Sequence, residues 1–532
     1  MRTACLALAL SLSLVAAAPP ATLAQTALPA AANVPRLRAL DFTPFAAALA
    51  DLKPADAAAL DAFVQAGSIP SLQAAMAAGL PSEAITLLFL SRIRDYDEGL
   101  RSYLELNPNA LEEARAADKL RAAGTVLGPL HGIPVSLKDN IETAGPMHTT
   151  AGAELLLNDV AAGDAALVRR LRAAGAVILG KANLSEFAGV VTNGPLIGGT
   201  SAVGGRTVNP HGPFPTGGSS SGSAVSTAAR LSMVSVGTET SGSLLAPSAW
   251  NGVVGMKPSR GVVSGQGIVP LILNNDSAGP IGRTVTDAAI LLGGIDEGDT
   301  DYAAGLKADA LDGVTVGMLN QAVAAVEGNG PLWQGVAATL SAAGARLRPA
   351  TLVDDPEWVS AGPFTVYLGG GIRHDMMPYV SQRHPAIKTV DDLIAYNSKD
   401  PATRSPFGNE MLVSLATGAK DLGEADFRAL GTRLSRAAAN TLDAAFRASG
   451  SEVLVSFENI HSTYYATAGY PAVTVPAGQR HRGGTAGQLG LASDGMPAGV
   501  TFIGKPGQDA QLLAYAYAFE QASNLRVAPT LR

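Results

Sequence analysis

The spacing of apolar residues changes along this chain of 532 residues, and each spacing predicts a different kind of element. Residues 41–115 carry apolar and alanine residues at helical spacing, with Asp51 to Ala66 and Ser82 to Leu104 as the predicted helices. In Gly128 to Lys138 a Gly/Pro turn is followed by apolar residues at every second position. This alternation predicts a short strand that ends at Lys138.

Further along the chain, predicted helices and strands follow one another in pairs. Asp164 to Ala174 repeats apolar residues on one helix face, and Gly175 to Gly180 is an apolar run typical of a buried strand. Three more pairs follow, with predicted helices at 331–343, 427–448 and 509–521 and predicted strands at 345–352, 452–457 and 499–504. The alternation predicts an α/β fold with one large sheet, in a single domain over residues 41–532.

Two segments of this domain depart from the pairing. Residues 355–450 are mostly helical in pattern before their last strand, and we expect them around the mouth of the functional site. Residues 478–495 are rich in glycine and polar residues, which predicts a mobile loop.

Residues 1–24 have the composition of a secretory signal peptide. Arg2 provides a positive start, Leu6 to Val15 form an apolar segment, and small residues follow. The apolar run is shorter than the roughly 20 residues that a membrane span needs. We therefore predict an exported protein, secreted or periplasmic, without membrane contact after cleavage. Residues 25–40 are predicted to form a flexible leader.

Composition excludes several classes of function. The one cysteine, Cys5, lies in the predicted signal peptide, so the mature chain has no disulfide, no thiol nucleophile and no thiolate metal site. The formal net charge is −7 and there is no basic tract, which gives no electrostatic basis for binding nucleic acid. We expect no metal and no other cofactor, and a monomer or a homodimer.

Two segments rich in glycine and serine, Gly217 to Ser223 and Gly237 to Ser243, are the strongest candidates for chemistry. A serine hydroxyl attacks an amide only if a base accepts its proton and hydrogen-bond donors stabilise the oxyanion. The seven histidines are scattered, and none lies in a recognisable triad. Lys138 could serve instead if burial lowered its pKa by about three units, to near 7. The alternative for Lys138 is an ordinary lysine at a strand end that pairs with Asp139.

Each glycine–serine segment has a structural interpretation beside the chemical one. The first could be a flexible linker, but Ala224 to Ser235 resumes at once with apolar residues typical of a helix, which favours a helix N-terminus. The second could turn the backbone N–H groups of Thr240, Ser241 and Gly242 towards one point, as an oxyanion hole requires. A Gly-x-Ser-x-Gly elbow centred on Ser220 is a further alternative, although that motif follows a buried strand and a Pro-rich loop precedes it here.

These residues are part of a longer series of motifs that resembles the amidase signature family. The lysine segment runs from Gly128 to Asn140, and Leu179 to Phe187 resembles the next characteristic block. The series continues in order with blocks at 252–258, 276–283, 468–476 and 497–504. Ser219 and Ser243 are 24 positions apart, which is the family's separation between its bridging and nucleophilic serines. The resemblance spans about residues 80–525.

The resemblance implies a Ser–Ser–Lys triad and a covalent acyl-enzyme. Ser243 would attack the substrate carbonyl, and Ser219, with its preceding peptide bond expected in cis, would pass the proton on. Lys138 would be the neutral base. The backbone N–H groups at positions 240–242 would hold the oxyanion, and water would then hydrolyse the acyl-enzyme through the same relay.

The resemblance also implies the fold and two supporting residues. Gly218 and Ser220, on either side of the bridging serine, would support it. The implied fold is one mixed sheet of about eleven strands, covered by helices on both faces.

Departures from the family pattern indicate the subtype. Ser221 and Ser241 stand where many relatives have glycine, and Glu239 stands where they have aspartate. Leu244 and Leu245 follow the nucleophile where many relatives have an arginine. Together with the predicted signal peptide, the Ser-Ser-Ser-Gly-Ser segment at 219–223 and the Gly-Thr-Glu-Thr segment at 237–240 resemble the bacterial peptide amidase branch, whose members remove the C-terminal amide of peptides. Ser241 departs from that branch, where an acidic residue is expected. Phe457 to His461 replaces an Ala-Pro-Thr-like stretch of other relatives.

We therefore predict an exported amide hydrolase whose partner is a small-molecule or peptide amide. Its substrate is predicted to be a peptide C-terminal amide or a similar carboxamide, from which it releases ammonia. An aryl-acylamide, cyclic-amide or ester hydrolase of the same family is the alternative within the enzyme class. A catalytically inactive binding protein that uses the glycine–serine segments as an anion nest is the alternative from another class.

Overall fold

The computed structural model describes residues 34–192, 198–319, 329–358, 361–480, 485–486, 491–492 and 495–531. The predicted signal peptide and most of the predicted leader lie outside this part of the chain. Within it, none of the helices has both the length and the apolar character that crossing a membrane requires.

Eleven strands form one mixed sheet, as predicted. In chain order they are Tyr103–Leu106 (β1), Pro134–Lys138 (β2), Val177–Ala182 (β3), Val234–Glu239 (β4), Val254–Lys257 (β5), Ser277–Gly282 (β6), Thr315–Leu319 (β7), Arg346–Ala350 (β8), Val453–Phe457 (β9), Ala472–Gln479 (β10) and Pro497–Ile503 (β11). Their order across the sheet is β1-β3-β2-β4-β6-β5-β10-β11-β9-β7-β8. β2 pairs in parallel with both β3 and β4, whereas β4 pairs antiparallel with β6.

Helices surround this sheet in the described part of the chain. The α-helices are Ala46–Asp51, Pro54–Ala66, Ile69–Ala77, Ser82–Leu100, Ala110–Ala122, Ala166–Ala173, Ser221–Ala228, Leu245–Trp250, Val285–Ile295, Gly330–Ala342, Ala361–Gly371, Met377–Arg383, Val390–Lys399, Pro401–Arg404, Glu410–Gly418, Glu424–Ser449, Ser462–Ala468 and Asp509–Ser523. Short 3-10 helices lie at Thr43–Phe45, Glu154–Leu156 and Glu186–Gly189, and a π-helical turn lies at Ile372–Met376.

The helices are needed on both faces because both faces of the sheet are apolar. Successive side chains of a strand point to opposite faces. In β9, Val453 and Val455 belong to the larger apolar core, whereas Leu454 belongs to the core on the opposite face. A third apolar cluster joins the helices between residues 361 and 438 to the loop at 269–272. Helices account for most of the described residues between 361 and 449, in agreement with the sequence pattern there.

The predicted helix Ser82 to Leu104 is too long at its C-terminal end. The helix ends at Leu100, and Arg101 adopts a left-handed conformation with φ of 52°. The following residues form β1, which pairs antiparallel with β3 at the edge of the sheet. Apolar residues in so short a segment fit a helix or a strand equally well, so only the pairing partner decides between them.

The predicted helix Ala224 to Ser235 is also wrong in its second half. The helix occupies Ser221–Ala228, so the first glycine–serine segment does lead into a helix N-terminus, as predicted. β4 then begins at Val234 and is buried along its whole length. The predicted mobile loop at 478–495 falls largely outside the described residues. Its described parts include the end of β10 and a two-stranded pairing of Thr485–Ala486 with Leu491–Ala492.

Candidate active site

The amine of Lys138 lies at the carboxyl ends of two neighbouring parallel strands. Lys138 ends β2, and the adjacent β4 brings Thr238 beside it. The Nζ atom donates hydrogen bonds to Ser219 Oγ at 2.7 Å and to Thr238 Oγ1 at 2.8 Å. The side chain is fully buried, with 0% exposure. A lysine in this position can exchange a proton with the Ser219 hydroxyl.

Burial lowers the pKa of Lys138 to about 7, because the charged ammonium loses its hydration, although the nearby charges of Asp276 and Glu239 oppose this effect. The alternative pairing of Lys138 with Asp139 is wrong. The Asp139 carboxylate lies 3.3 Å from the amine of Lys181 on β3, and both of these side chains are buried. Lys138 therefore has a substantial neutral fraction near pH 7.

Ser219 follows a cis peptide bond after Gly218, as the family resemblance implies. A Cβ atom on Gly218 would lie 2.4 Å from Ser185 Oγ, so the position has no room for a side chain. The N–H group of Ser185 donates to the Ser219 carbonyl at 3.0 Å. These contacts hold the first glycine–serine segment against the loop that follows β3.

The Ser220 hydroxyl is bonded to the backbone of β4. It donates to the Thr238 carbonyl at 2.9 Å and accepts from the Thr238 N–H group at 3.2 Å. The segment before it, residues 211–218, has no strand, so the environment that a Gly-x-Ser-x-Gly elbow requires is missing. Ser220 holds the first segment to the end of β4.

Ser243 lies in the turn between β4 and the helix Leu245–Trp250 and is 8% exposed. Its carbonyl accepts the N–H group of Ser220 at 3.1 Å, which joins the two glycine–serine segments. The buried carboxyl group of Glu239 accepts the N–H groups of Leu244 at 2.8 Å and Leu245 at 3.2 Å. The turn that carries Ser243 is therefore held from both sides.

Gly242 has a φ of 83°, and a Cβ atom there would lie 2.7 Å from Asn459 Nδ2 and 3.0 Å from Ser462 Oγ. Ser241 donates a hydrogen bond to Ser462 Oγ at 3.3 Å. The segment that includes Phe457 to His461, which separates this chain from other relatives in sequence, thus packs directly on the turn before Ser243. Only glycine fits this backbone conformation at so close an approach.

Several residues beside the site were not predicted from the sequence. Thr238 and Glu239 lie inside the second glycine–serine segment, but nothing in the sequence shows that their side chains face Lys138 and the Ser243 turn. Asn140 donates to Thr238 Oγ1 at 3.0 Å. Asp276 begins a motif block, which was the one sequence feature that pointed to it. Among the described residues no three His, Cys, Asp or Glu side chains are grouped so that they could hold a metal ion.

Comparison with known proteins identifies the family. The Amidase family model matches residues 84–513. A probable amidase of Arabidopsis thaliana is 34% identical over 469 residues, which covers 85% of this chain and 88% of the relative.

Two solved structures extend the similarity to the fold. An amidase family protein of Bacillus anthracis superposes with a TM-score of 0.83 at 33% identity, covering 92% of this chain and 97% of the other. The peptide amidase of Stenotrophomonas maltophilia superposes with a TM-score of 0.78 at 38% identity, covering 88% and 99%. The latter similarity confirms the predicted resemblance to the peptide amidase branch. The chain is an amide hydrolase and belongs to the amidase family.

Proposed function

We propose that this protein is an exported amidase that removes the C-terminal amide of peptides or a similar carboxamide, with Ser243 as nucleophile, Ser219 as proton relay and Lys138 as base. The observation that carries the proposal is the buried Lys138 amine, 2.7 Å from Ser219 Oγ. The pKa of Lys138, lowered by burial to about 7, makes this amine a base at neutral pH.

In the proposed mechanism two proton transfers accompany each nucleophilic attack. Neutral Lys138 accepts the Ser219 hydroxyl proton while Ser219 accepts the proton of Ser243, whose Oγ forms a bond to the amide carbon. The backbone N–H groups of Thr240, Ser241 and Gly242 stabilise the oxyanion.

When the tetrahedral intermediate collapses, the carbon–nitrogen bond breaks and the relay returns the proton to the leaving nitrogen, which departs as ammonia. Water then attacks the acyl-enzyme and gives a proton to the relay. The bond between the acyl carbon and Ser243 Oγ breaks, the relay returns the proton to Ser243 Oγ, and the carboxylic acid leaves. Gly218 and Ser220 act as supporting residues in this scheme, because they set the position of Ser219 and of the end of β4.

The peptide amide is proposed from similarity along most of the chain. The peptide amidase of Stenotrophomonas maltophilia is matched over nearly all of its length. In this chain Asn459 and Ser462 lie against Gly242 at the Ser243 turn. Their amide and hydroxyl groups provide hydrogen-bonding capacity beside the position proposed for the carbonyl.

Hydrolysis of a panel of substrates tests the proposal, measured as ammonia release for the amide-capped dipeptides and as the released aniline, amine, ring-opened acid or alcohol for the other substrates. The panel contains amide-capped dipeptides, the same dipeptides with a free carboxylate as blanks, anilides, cyclic amides, linear amide oligomers and simple esters. We expect the highest kcat/KM with amide-capped peptides and no turnover in the Ser243→Ala variant. Preference for anilides, cyclic amides or esters would replace the proposed substrate class. Turnover that survives in Ser243→Ala would overturn the assignment of the nucleophile.

Export is proposed from residues 1–24 alone and is tested separately. We expect the full chain, expressed in a Gram-negative host, to be recovered from the periplasm or the medium with an N-terminus near residue 25, as read by mass spectrometry. Leu10→Arg interrupts the apolar segment and should leave the protein in the cytoplasm at full length. Recovery of uncleaved wild-type protein from the cytoplasm would contradict export without affecting the chemistry.

A further inference from the structure

Asp276 connects two parts of the site that are otherwise far apart in sequence. Its Oδ1 atom accepts a hydrogen bond from the Thr240 hydroxyl, and its Oδ2 atom accepts the N–H groups of Leu271 at 2.7 Å and Ile272 at 3.0 Å. Thr240 contributes one of the backbone N–H groups proposed to hold the oxyanion. Asp276 thus joins this turn to the loop that precedes β6.

The same carboxylate acts electrostatically on Lys138. Among the charged groups that favour the ammonium form of Lys138, Asp276 has the largest effect on its pKa and Glu239 has the next largest. Asp276 also lines a cavity of about 30 Å³ together with Asn140 and Thr238, and both of these contribute to the hydrogen bonds around the Lys138 amine. The Asp276 carboxylate can therefore raise the proton affinity of the Lys138 amine through its charge, without a hydrogen bond to that amine.

The other charged groups around Asp276 and Lys138 have different hydrogen-bond and ion-pair partners from those of Asp276. Glu239 is bonded to the Ser243 turn and lies near the buried amine of Lys257. Asp375 faces Asp276 from the helical region, but it accepts the N–H group of Leu273 at 2.9 Å and pairs with Arg428 at 2.7 Å. The phenol of Tyr367 is a further titratable neighbour of Asp276.

We propose that Asp276 is a positioning residue that couples the two halves of the catalytic machinery: it holds the oxyanion turn through Thr240, and its negative charge sets the pH at which Lys138 becomes a base. The inference rests on the proposed roles of Lys138 and Ser243. In this inference the Asp276 carboxylate has both a structural and an electrostatic role, although none of its hydrogen bonds described above is with Ser243 or Ser219.

The direction of the effect follows from the charges. Ionised Asp276 stabilises protonated Lys138, so removal of the charge lowers the pKa of Lys138 and extends the active range to lower pH. Burial raises the pKa of Asp276 itself to about 6, and the hydrogen bond from Thr240 opposes this rise. Loss of the Thr240 hydroxyl should therefore make Asp276 neutral over more of the pH range, with the same consequence for Lys138.

The test measures the rate at which a fluorophosphonate probe labels Ser243, between pH 4.5 and 9, in the purified mature enzyme. We expect Asp276→Asn to move the midpoint of the acidic limb down by about 0.5 to 1 pH unit, with a lower maximal rate. Asp276→Glu keeps the charge and should keep the wild-type midpoint, whatever its maximal rate. A midpoint in Asp276→Asn that is unchanged or raised would overturn the inference.

A second pair of variants makes the test independent of the folding of Asp276→Asn. Thr240→Val should lower the midpoint in the same direction, and Thr240→Ser, which retains the hydroxyl, should restore it. The charges that oppose the effect of burial on Lys138 are those of Asp276 and Glu239, and the repulsion from Asp375 raises the pKa of Asp276. Asp375→Asn is therefore the control carboxylate, with a midpoint that should stay in place or rise. If Thr240→Val and Thr240→Ser shift the midpoint alike, the inference fails.

The outcome also separates this inference from the proposed function. If the wild-type enzyme is not labelled at any pH, or if Ser243→Ala is still labelled, the proposed catalytic roles are wrong. If labelling is specific for Ser243 but none of the variants moves the midpoint downwards, only the role of Asp276 is wrong.

Discussion

Lys138 and Lys181 lie on adjacent parallel strands and are both fully buried, but they have different kinds of partner. Lys181 pairs with the carboxylate of Asp139 at 3.3 Å, whereas Lys138 donates to the hydroxyls of Ser219 and Thr238. A buried ammonium needs a carboxylate to offset its desolvation, and a neutral amine does not. The two lysines therefore form a matched pair in which one is structural and the other is available as a base.

The first prediction compares these two lysines. Lys138→Met should lower kcat/KM by about 10³-fold or more, because the relay loses its base, while the protein remains folded. Lys181→Met leaves the buried Asp139 carboxylate without its cation and should cost about 3 kcal/mol of stability. Steady-state kinetics and thermal unfolding of both variants give the comparison. Equal loss of activity in two equally stable variants would contradict the assignment.

The second prediction concerns the pH dependence of activity. Only neutral Lys138 can accept a proton, and its pKa is about 7, so kcat/KM should rise with pH through 7 and level off above about 8. At pH 5 the expected value is about one hundredth of the plateau. A pH–rate profile at constant ionic strength checks this. A midpoint near 10 would show that Lys138 is not the titrating base.

The third prediction follows from the same pKa but concerns stability. The folded-state pKa of Lys138, about 7, lies below its ordinary value of 10.5. Between these two pH values Lys138 is protonated in the unfolded chain but neutral in the folded protein. Burial of Lys138 therefore lowers the free energy of unfolding by up to about 5 kcal/mol below pH 7. This effect disappears as the pH approaches 10.5. Lys138→Met should therefore be more stable than wild type at pH 6, by urea unfolding, and lose this advantage at high pH. A variant that is less stable at pH 6 would contradict this prediction.

The fourth prediction separates the two serine candidates. Ser243→Ala should abolish turnover with unchanged stability. Ser220→Ala leaves the N–H and carbonyl groups of Thr238 without their hydroxyl partner, which costs about 1 to 3 kcal/mol, but turnover should persist. Activity assays and melting temperatures distinguish these patterns. The reverse result, with Ser220 essential and Ser243 dispensable, would support the elbow motif.

The fifth prediction uses two glycines with nearly the same backbone conformation. Gly242 has φ of 83° beside Asn459. Gly261 has φ of 87°, and among the described residues, apart from Gly261 and its two neighbours in the chain, no heavy atom lies within 4 Å of the position that its Cβ atom would take. Gly242→Ala should lower kcat by about 100-fold, because the turn that carries the proposed oxyanion donors must shift. In Gly261→Ala the alanine has the same backbone strain at positive φ but no close contact with another residue. The substitution should therefore lower only the stability, by about 1 kcal/mol. Similar kinetics in both variants would show that the contact with Asn459 has no role.

The sequence by itself determined the family and most of the helix–strand pairs, and it predicted the residues that we propose for the relay. These depend on local patterns: the spacing of Ser219 and Ser243, the alternation that ends at Lys138 and the apolar runs of the buried strands. Local patterns did not decide between helix and strand in short apolar segments. β1 and β4 were missed for this reason, since both depend on pairing with strands that are distant in the sequence.

The electrostatic character of the site was decided only by the tertiary structure. The sequence places Asp139 next to Lys138, but the fold directs this carboxylate to Lys181, on the neighbouring strand. It also brings Glu239 and Asp276 near Lys138. A pKa depends on the burial of the group and on every charge within a few ångströms, and folding brings these from separate parts of the chain. Sequence spacing can therefore identify the lysine, but only the packed structure determines whether its amine is neutral.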